Sequence, residues 1–511
     1  MRKTLLIACS GLLILSACKK DVEEKLKNTT TTAVTTSSVT NFYVNGTTGS
    51  DANAGTSDTL PLKTIQAALW KTTDGAGATI WVAAGTYKEK LWWPYSGADS
   101  THPITLTNYD GGTVVLDGVS ASNGDQKAMI AVVSKSHVRI NNITVANNIT
   151  SSAVGILFQG SGTDIQVTGC KIYNIGWTTD STAVPSSTDN ANPLMVWGDA
   201  LASYNKVYIG SNQIYSCNTG YSEGLTMAGN VENFLIESNV VHHIRNIGID
   251  MTGHYSWANT NDSVNMARNG NVKYNIVYNC ISPVALNGGI YVDGGKYINI
   301  EGNICYNNYA GISAGCENNN YTATGINIRD NFIYNSRNAG ILVGSNQANS
   351  KVTYSTIMNN SLYKNYTDGG WGGEISLQNT DYLTIKNNIV YSASDIMIIA
   401  LWGYSSTNLV SDYNLYYGLS GTSASATFDW YPTSTTYGSL AAFTAATGLD
   451  AHSTYGNPNY VSTTNLHLSS TSPAINAGDP SFVLGYQEYD IDKQSRIQNS
   501  RVDKGADETA Y

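Results

Sequence analysis

The feature of this chain that most restricts its fold is a short phrase that returns about every 28 residues along most of its 511 residues. The phrase is an asparagine, any residue, an apolar residue and a tyrosine. It begins at Asn212, Asn275, Asn303, Asn331, Asn360, Asn388 and Asn414, with weaker copies at Asn142, Cys170 and Asn239. A nearly constant period of this length is typical of a solenoid, in which each repeat forms one coil stacked on the next.

A short stretch with apolar residues at every second position accompanies the copies, and this alternation indicates a β-strand. When the stretches are aligned they share two apolar columns, which we expect to point inward. The first column is Leu225, Ile249, Ile290, Ile312, Ile341 and Ile375, and the second is Met227, Met251, Val292, Ala314, Val343 and Leu377. The sequence therefore predicts an all-β fold, a right-handed parallel β-helix of roughly twelve coils. The repeated asparagines should form a side-chain ladder in a turn, and loop insertions are expected near 177–197 and 254–272.

Composition agrees with this fold and narrows the choice of partners. Charged residues make up only 13% of the chain and Gly reaches 48 residues, which does not suit a mainly helical protein. The formal net charge is −10 and there is no basic stripe, so we expect no nucleic-acid partner. The cysteines beyond Cys9 and Cys18 have no zinc spacing and are expected to be small buried side chains, namely Cys170, Cys217, Cys280, Cys305 and Cys316.

The first residues resemble a bacterial lipoprotein signal. Arg2 and Lys3 precede an apolar run that ends in Leu15-Ser-Ala-Cys18. The resemblance implies that 1–17 are a signal peptide and that Cys18 carries a lipid anchor. We then expect a Ser/Thr-rich tether over 18–41, the β-helix over 42–418, an irregular insertion over 419–460 and a C-terminal coil and cap over 461–511. Such a protein would be exported, anchored in the membrane and exposed at the surface of the outer membrane.

Several segments resemble the pectate-lyase-like superfamily of parallel β-helix proteins. They are the start of the repeat region (43–56 and 62–68), its centre (246–250 and 289–295) and its end (472–478 and 490–506). The resemblance implies activity on polysaccharides as a lyase, hydrolase or epimerase, although other members are adhesins. The sequence contains no two consecutive aspartates, which argues against the calcium-dependent family-nine pectate lyases with their aspartate cluster.

The outward columns of the aligned strands contain two acidic residues, Asp250 and Asp293. They fall on adjacent coils, two residues out of step, so their Cα atoms should lie roughly 8 Å apart. Two carboxyl groups at such a separation can act as general acid and as base or nucleophile across a glycosidic bond, and neighbouring carboxyls split their pKa values as this chemistry requires. The leading prediction is therefore a cell-surface glycoside hydrolase acting on a polysaccharide or oligosaccharide.

Other polar and aromatic residues are expected to converge on this pair. The further catalytic candidates are Glu317, His254, Lys296 and Glu223. Aromatic rings and polar groups that would bind sugar are Trp177, Trp197, Tyr255, Trp257, Tyr291, His243, Trp371 and Glu374. Aromatic faces suit this role because the C–H faces of sugar rings stack on them.

Two other functions fit the same residues. One is a polysaccharide lyase on a uronate polymer, with His254, Lys296, Tyr291 or His243 as the base. In that case Asp250, Asp293 and Glu317 could hold Ca²⁺ through oxygen ligands, whereas hydrolysis requires no cofactor. The other is a non-catalytic glycan-binding or adhesion protein. The sequence leaves open the sugar, the linkage and the oligomeric state.

Overall fold

The computed structural model describes residues 39–510, apart from 122–125, 370–371, 401–405 and 486–487. The predicted signal peptide, the lipidated Cys18 and most of the tether lie outside the described residues, as does Trp371. Within the described part, no helix has the length and apolar character needed to cross a membrane.

The described chain winds through three long sheets, each with thirteen strands against the roughly twelve coils predicted. The first sheet contains Thr40–Val44, Ala78–Val82, Ile104–Asn108, Val138–Asn141, Gly162–Thr168, Tyr204–Gly210, Val231–Glu237, Arg268–Lys273, Lys296–Glu301, Thr322–Arg329, Lys351–Met358, Thr380–Lys386 and Val410–Asp412. The second contains Leu91–Trp93, Ala128–Val133, Ala153–Gln159, Ala191–Gly198, Leu225–Gly229, Ile249–Thr252, Ile290–Asp293, Ala310–Gly315, Ala339–Gly344, Ile375–Gln378, Ile396–Ala400, Thr427–Trp430 and Thr435–Tyr437. The third contains Gly85–Tyr87, Val114–Asp117, Ile143–Ile149, Lys171–Gly176, Gln213–Cys217, Val240–Ile244, Ile276–Tyr278, Ile304–Tyr306, Phe332–Tyr334, Ser361–Tyr363, Ile389–Tyr391, Leu415–Tyr417 and Thr454–Tyr455.

Neighbouring strands in each sheet are parallel, except for the final pair of the second sheet, Thr427–Trp430 and Thr435–Tyr437. The strand registers reproduce the alignment of the repeats, because Leu225 pairs with Ile249, Ile249 with Ile290 and Ile290 with Ile312. The first apolar column is fully buried from Leu225 to Ile375. The predicted all-β parallel β-helix with an inward aliphatic column is therefore confirmed.

The repeated asparagines form the predicted ladder at the corner that leads into the third sheet. Each Nδ2 donates to the Oδ1 of the asparagine on the next coil over 2.9–3.0 Å, through Asn212, Asn239, Asn275, Asn303, Asn331, Asn360, Asn388 and Asn414. The same Nδ2 groups also donate to a backbone carbonyl, as Asn303 does to Val272. These buried amides are satisfied by one another and by the backbone, so the ladder ties each coil to the next.

A column of stacked rings runs along the outside of the third sheet. Neighbouring ring centroids are 4.6–5.2 Å apart through Tyr173, Tyr215, His242, Tyr278, Tyr306 and Tyr334. His242 replaces a tyrosine in this column. The five cysteines beyond Cys18 are buried and free, as expected.

Both ends of the described rod carry non-repetitive structure. Near the start, the helix Ile65–Lys71 buries Ile65 and Leu69, and its N-cap Thr64 accepts a hydrogen bond from the Ala67 amide. Residues 419–460, expected to be irregular, include the short 3₁₀ turns Ser423–Ser425 and Tyr431–Thr433, two strands of the second sheet, and the helix Leu440–Thr447.

The last described residues run back along the outside of the rod. The Ala506 amide donates to the Ser361 hydroxyl at 3.0 Å, and the Gly505 amide donates to the Asn387 carbonyl at 2.7 Å. Residues 461–510, predicted as a final coil and cap, therefore pack against the side of earlier coils.

Candidate active site

A cleft of about 1320 Å³ lies on the outer face of the second sheet. Its floor is formed by outward side chains of successive strands, and its walls by the loops that join these strands to the neighbouring sheets. The loop insertions are shorter than predicted, because strands resume at Ala191 and at Arg268. Both still contribute to the walls, through Ser187 and Asn190 on one side and Tyr255 and Trp257 on the other.

Four carboxyl groups line this cleft, from Glu223, Asp250, Asp293 and Glu317. Asp250 lies level with Tyr291 on the next coil, and Asp293 ends that same strand, Ile290–Asp293. Asp250 and Asp293 are thus on adjacent coils and two residues out of step, in agreement with the alignment. Both are only 3% exposed.

The Asp293 carboxyl is fixed by two donors. The Tyr255 hydroxyl donates to its Oδ2 at 2.5 Å, and the backbone amide of Glu317 donates to its Oδ1 at 2.7 Å. Burial, followed by the charge of Glu317, raises the pKa of Asp293 to about 8, although the bond from Tyr255 lowers it. Asp293 is therefore held in one orientation and its protonation depends on its acidic neighbours.

Glu317 receives the remaining donors of this network. Its Oε1 accepts hydrogen bonds from the Tyr291 hydroxyl at 3.2 Å and the Asn287 amide at 3.1 Å. Its Oε2 lies 3.3 Å from the Tyr255 hydroxyl. Tyr255 therefore bridges two carboxyl groups, and burial together with the charges of Asp293 and Glu317 raises the pKa of its own hydroxyl.

Asp250 has the least support of the four carboxyls. Its Oδ1 is buried and has no hydrogen-bond partner among the described residues. Burial, and then the charges of Glu223, Asp293 and Glu317, raise the pKa of Asp250 well above its ordinary value. Burial also raises the pKa of Glu223 to about 7, against a hydrogen bond from the Thr226 hydroxyl at 3.0 Å. An acid that stays protonated and points into a cleft can donate that proton to a bound substrate.

Aromatic rings form one wall beside the acids. The rings of Trp197 and Trp257 are 6.1 Å apart, and those of Tyr255 and Trp257 are 5.8 Å apart. Trp197 lies on the strand Ala191–Gly198, and its indole donates to the Ala258 carbonyl at 2.7 Å, which fixes the wall to the floor. Trp257 is 52% exposed and leaves a free ring face for a ligand. The prediction that Trp197, Tyr255, Trp257 and Tyr291 lie at the cleft agrees with their positions.

Two predicted catalytic residues, His254 and Lys296, do not line the cleft. The His254 ring stacks on Tyr321 at 4.2 Å, and burial lowers its pKa to about 4. Lys296 begins the first-sheet strand Lys296–Glu301. The predicted positions of His254 and Lys296 require strand alternation to continue past the ends of the second-sheet strands. The chain instead turns through left-handed residues at His254 and Gly294 and leaves that face.

Three predicted sugar-binding residues also lie elsewhere. The Trp177 indole donates to the Asn218 side chain at 3.1 Å, away from the cleft lining. His243 lines a second groove at the corner of the third sheet. Glu374 is fully buried and accepts a hydrogen bond from the Asn365 amide at 2.9 Å. Its other oxygen accepts from the backbone amide of Ala393, so Glu374 supports neighbouring turns and does not extend the cleft.

The sequence interpretation did not identify the asparagines around the acids. Asn287 holds Glu317, and the Asn192 amide donates to the Thr226 hydroxyl at 3.3 Å, which in turn donates to Glu223. Asn287 lies in a loop outside the repeat, so the alignment of the repeated strands does not include it. Asn192 lies within the stretch 177–197, which the sequence predicts to be a loop insertion.

The predicted calcium ligands do not gather around one point. Among the described residues, the group of three side chains whose ligand atoms lie within 4.8 Å of one another is His467, Asp492 and Asp507, and none of these lines the cleft. Between Asp293 and Glu317 lies the hydroxyl of Tyr255. A calcium ion held by Asp250, Asp293 and Glu317 stays a prediction that requires these side chains to move.

The sequence of this chain is similar to that of a bacterial protein. No model of a known protein family matches the sequence. The chain is 31% identical over 424 residues to the uncharacterized protein YwoF of Bacillus subtilis (strain 168), a match that covers 80% of this chain and 86% of YwoF. The chain belongs to the YwoF family.

Solved structures of other proteins are similar in fold to this chain. Pectate lyase Pel9A is similar with a TM-score of 0.50 and 16% identity, over 92% of this chain and 97% of Pel9A. XylC, solved with xylose, has a TM-score of 0.48 and 12% identity, over 74% of this chain and 83% of XylC. At such identities the likeness concerns the right-handed parallel β-helix fold alone.

Proposed function

We propose that this protein is a carbohydrate-active enzyme that hydrolyses glycosidic bonds of a polysaccharide bound in the cleft. The observation that carries the proposal is the cluster of four carboxyl groups beside an aromatic wall, with Asp250 and Asp293 buried at its centre. Burying several carboxyls together costs free energy, because each opposes ionisation of the others. Such an arrangement suits a reaction that needs one acid protonated and another ionised. The fold accommodates polysaccharide chemistry, since Pel9A is by name a pectate lyase.

Hydrogen bonding distinguishes the roles of the two central acids. Asp250 lacks a donor to Oδ1, and burial followed by the charges of its acidic neighbours raises its pKa well above the ordinary value, so it is the general acid that protonates the leaving oxygen. Asp293 receives donors on both oxygens, which favour its ionised form. It is therefore the base or nucleophile. Glu223, Asp250 and Asp293 titrate together, because the charges of neighbouring carboxyls raise their pKa values.

The remaining groups position these two acids. Glu317 orients Tyr255, which holds Asp293, while Glu223 raises the pKa of Asp250 by its charge. Trp257 offers an exposed ring at the cleft wall on which a sugar can stack.

Hydrolysis suits the cleft better than β-elimination. Elimination from a uronate requires positive charge beside the substrate carboxylate. Among the described residues that line the cleft, Lys127 is the one with a cationic side chain, and four carboxyls face it. A uronate at the reaction centre would meet repulsion from these acids, whereas a neutral sugar would not.

The test is product analysis after incubation with a panel of neutral and uronate polysaccharides. Hydrolysis releases new reducing ends without the ultraviolet absorbance of an unsaturated product. Asp250→Asn should lower kcat by about 10²–10⁴-fold, the usual contribution of a general acid, while the exposed Asp110→Asn serves as matched control. An unsaturated product would establish a lyase, and glycan binding without product would establish an adhesion protein. Full turnover by Asp250→Asn would overturn the assignment of the acid.

We also propose that the enzyme acts at the cell surface, held by a lipid on Cys18. The support is the signal-like sequence that ends at this cysteine. Cys18→Ser should move the protein from the membrane fraction to the soluble fraction, as followed by immunoblotting. An unchanged membrane fraction would contradict lipid anchoring.

A further inference from the structure

A second groove, of about 1160 Å³, lies at the corner where the chain passes from the third sheet to the second. We call it the corner groove. It extends from the coil of Lys90 to that of Ile281. Its volume matches that of clefts that bind ligands larger than a single sugar.

The floor of the corner groove repeats from coil to coil. One residue with positive φ from each of five successive coils lines it, in the last residues of the third-sheet strand or directly after it, namely Asn147, Asn174, Ser216, His243 and Asn279. The Asn174 amide donates to Asn147 at 3.0 Å. The left-handed residue directs a polar side chain outward on each of these coils. The floor of the groove is therefore a strip of polar side chains that runs along the axis on which the coils stack.

The charge of the corner groove is opposite to that of the cleft. Lys90, Lys127 and Arg245 line it together with His243, and no carboxylate does so among the described residues. The chain as a whole has a net charge of −10, so this cluster of cations departs from the average surface. A positively charged groove attracts the anionic groups of a ligand and does not repel its neutral groups.

Arg245 is the best placed of these cations to meet a ligand. Its Nη2 donates to the Ala183 carbonyl at 2.8 Å, which fixes the guanidinium against the 177–190 loop. Its Nε is buried and has no hydrogen-bond partner among the described residues. Asp180 on the same loop feels the charge of Arg245, but the two form no ion pair within the described residues. Arg245 therefore retains donors for an oxyanion such as a carboxylate or a sulfate.

The corner groove and the cleft adjoin each other. Lys127 lines both of them. The 177–190 loop also contributes to both, with Thr178 and Ser181 in the groove and Ser187 and Asn190 in the cleft. A polymer that leaves the cleft past Lys127 therefore enters a strip of amides and cations.

We infer that the corner groove binds anionic groups of the glycan, carboxylate or sulfate, at sugar units distant from the bond that is cleaved. The substrate class is then an acidic or sulfated polysaccharide with neutral units at the reaction centre. The identity of the ligand as a glycan rests on the proposed function. A duplex nucleic acid is a poorer fit, because it presents a phosphate about every 1.7 Å along its axis, and the four carboxyls of the adjoining cleft would repel it.

The experiment measures binding of the whole chain by calorimetry to a panel of uronate and sulfated polysaccharides. Each is compared with its neutral counterpart, in which carboxylates are reduced to alcohols or sulfates are removed. We expect at least one acidic glycan to bind about tenfold more tightly than its neutral counterpart, with affinity falling as salt increases. Whether carboxylates or sulfates give the gain identifies the anion.

Variants connect this gain to the corner groove. Arg245→Gln should remove most of the tenfold preference, Arg245→Lys should restore part of it, and Lys171→Gln, which alters an exposed lysine outside the groove, should leave it unchanged. Because Arg245 also supports the 177–190 loop, Lys127→Gln is a second test that does not depend on that contact. The inference is overturned if no acidic glycan outperforms its neutral counterpart, if both variants keep the preference, or if duplex DNA binds more tightly than every glycan.

Failure of this inference and failure of the proposed function can be told apart. Asp250→Asn should lose turnover and keep the preference for acidic glycans. If the wild type binds acidic glycans and releases no product, the groove stands and the hydrolase does not. If it releases product and Arg245→Gln binds as the wild type does, the hydrolase stands and the groove does not.

Discussion

The asparagine ladder and the acids of the cleft cross the same coils of this protein, and they differ in how their hydrogen bonds are completed. In the asparagine ladder, each amide of the row from Asn212 to Asn388 donates to the next coil and to the backbone. In the cleft, Asp250 keeps a buried oxygen without a partner among the described residues, and its pKa is raised. The ladder and Asp250 are both buried, yet only the ladder has its hydrogen bonds completed.

The difference separates stability from chemistry within one repeat. A satisfied buried network holds its structure and has little reason to bind anything else. An unsatisfied buried carboxyl lowers the stability of the folded protein. A bound substrate that supplies the missing hydrogen-bond partner removes this penalty. We therefore expect changes in the ladder to alter stability and changes in the cleft to alter activity.

The largest effect should come from the ladder. Asn303→Ala removes the acceptor of the Asn275 amide and the donor to the Val272 carbonyl, and leaves both buried. Each unpaired group costs about 1–3 kcal/mol, so the free energy of unfolding should fall by about 3 kcal/mol or more, as measured by urea unfolding. Asn299→Ala, in a half-buried row on the first sheet in which Asn327 donates to Asn299 and Asn299 to Asn271, should cost less than about 1 kcal/mol, because water can replace these partners. Equal losses in the two variants would contradict the comparison.

A smaller effect is expected from Tyr255→Phe, which keeps the ring and removes the hydroxyl shared by Asp293 and Glu317. A hydrogen bond to a charged group is worth about 1.5–3 kcal/mol, so kcat/KM should fall about 10- to 100-fold. Because that bond lowers the pKa of Asp293, its loss raises this pKa. Activity that requires ionised Asp293 should then disappear at a higher pH than in the wild type as the pH is lowered.

The control for this variant is Tyr321→Phe. It removes a hydroxyl that donates to Asp262 outside the cleft, and it should leave the pH profile of kcat/KM in place. A profile that shifts equally in both variants, or in neither, would show that Tyr255 does not act through Asp293.

The last effect concerns stability and pH. Burial, followed by the charge of Glu317, raises the pKa of Asp293 from its ordinary value of 3.8 to about 8 on folding. The folded state therefore binds more protons than the unfolded state between these values, and its stability declines as pH rises through this window.

Asp293→Asn lacks this proton linkage; its Oδ1 can still accept from the Glu317 amide, and its Nδ2 can donate to the Tyr255 hydroxyl oxygen. Its melting temperature should exceed that of the wild type at pH 8–9 and match it at pH 4, as measured by calorimetry. Asp110→Asn, on the exposed surface, should follow the wild-type curve. Parallel curves for Asp293→Asn and the wild type would show that Asp293 is ionised in the folded protein throughout.

Much of the fold could be predicted because the repeat constrains it on every coil. The aliphatic column from Leu225 to Ile375 is spaced by the strand period, and Asn303 repeats at the same corner as its neighbours. These positions depend only on local alternation and on stacking of like on like. The course of residues 461–510 could not be predicted in this way, because their contacts with Ser361 and Asn387 join segments far apart in the chain.

The site was less accessible to the same reasoning. Asp250 and Asp293 lie within aligned strands, so their adjacency followed from the repeat. His254 and Lys296 lie beyond the ends of the second-sheet strands. A left-handed residue at each of these turns changes the direction of the side chains that follow. Glu374 shows the opposite case, because a residue in an outward position by alternation faces inward at a corner. Turn geometry, which the repeat phrase does not record, decided these positions.

The cleft is assembled from a small number of consecutive turns of the solenoid, and its acids are set by pairing between immediate neighbours. Within each sheet, a strand pairs only with the strands on either side of it. Whole turns can therefore be gained or lost towards either tip, and the reacting groups keep their spacing. For such a protein, overall length is free to drift during evolution while the chemistry is inherited unchanged.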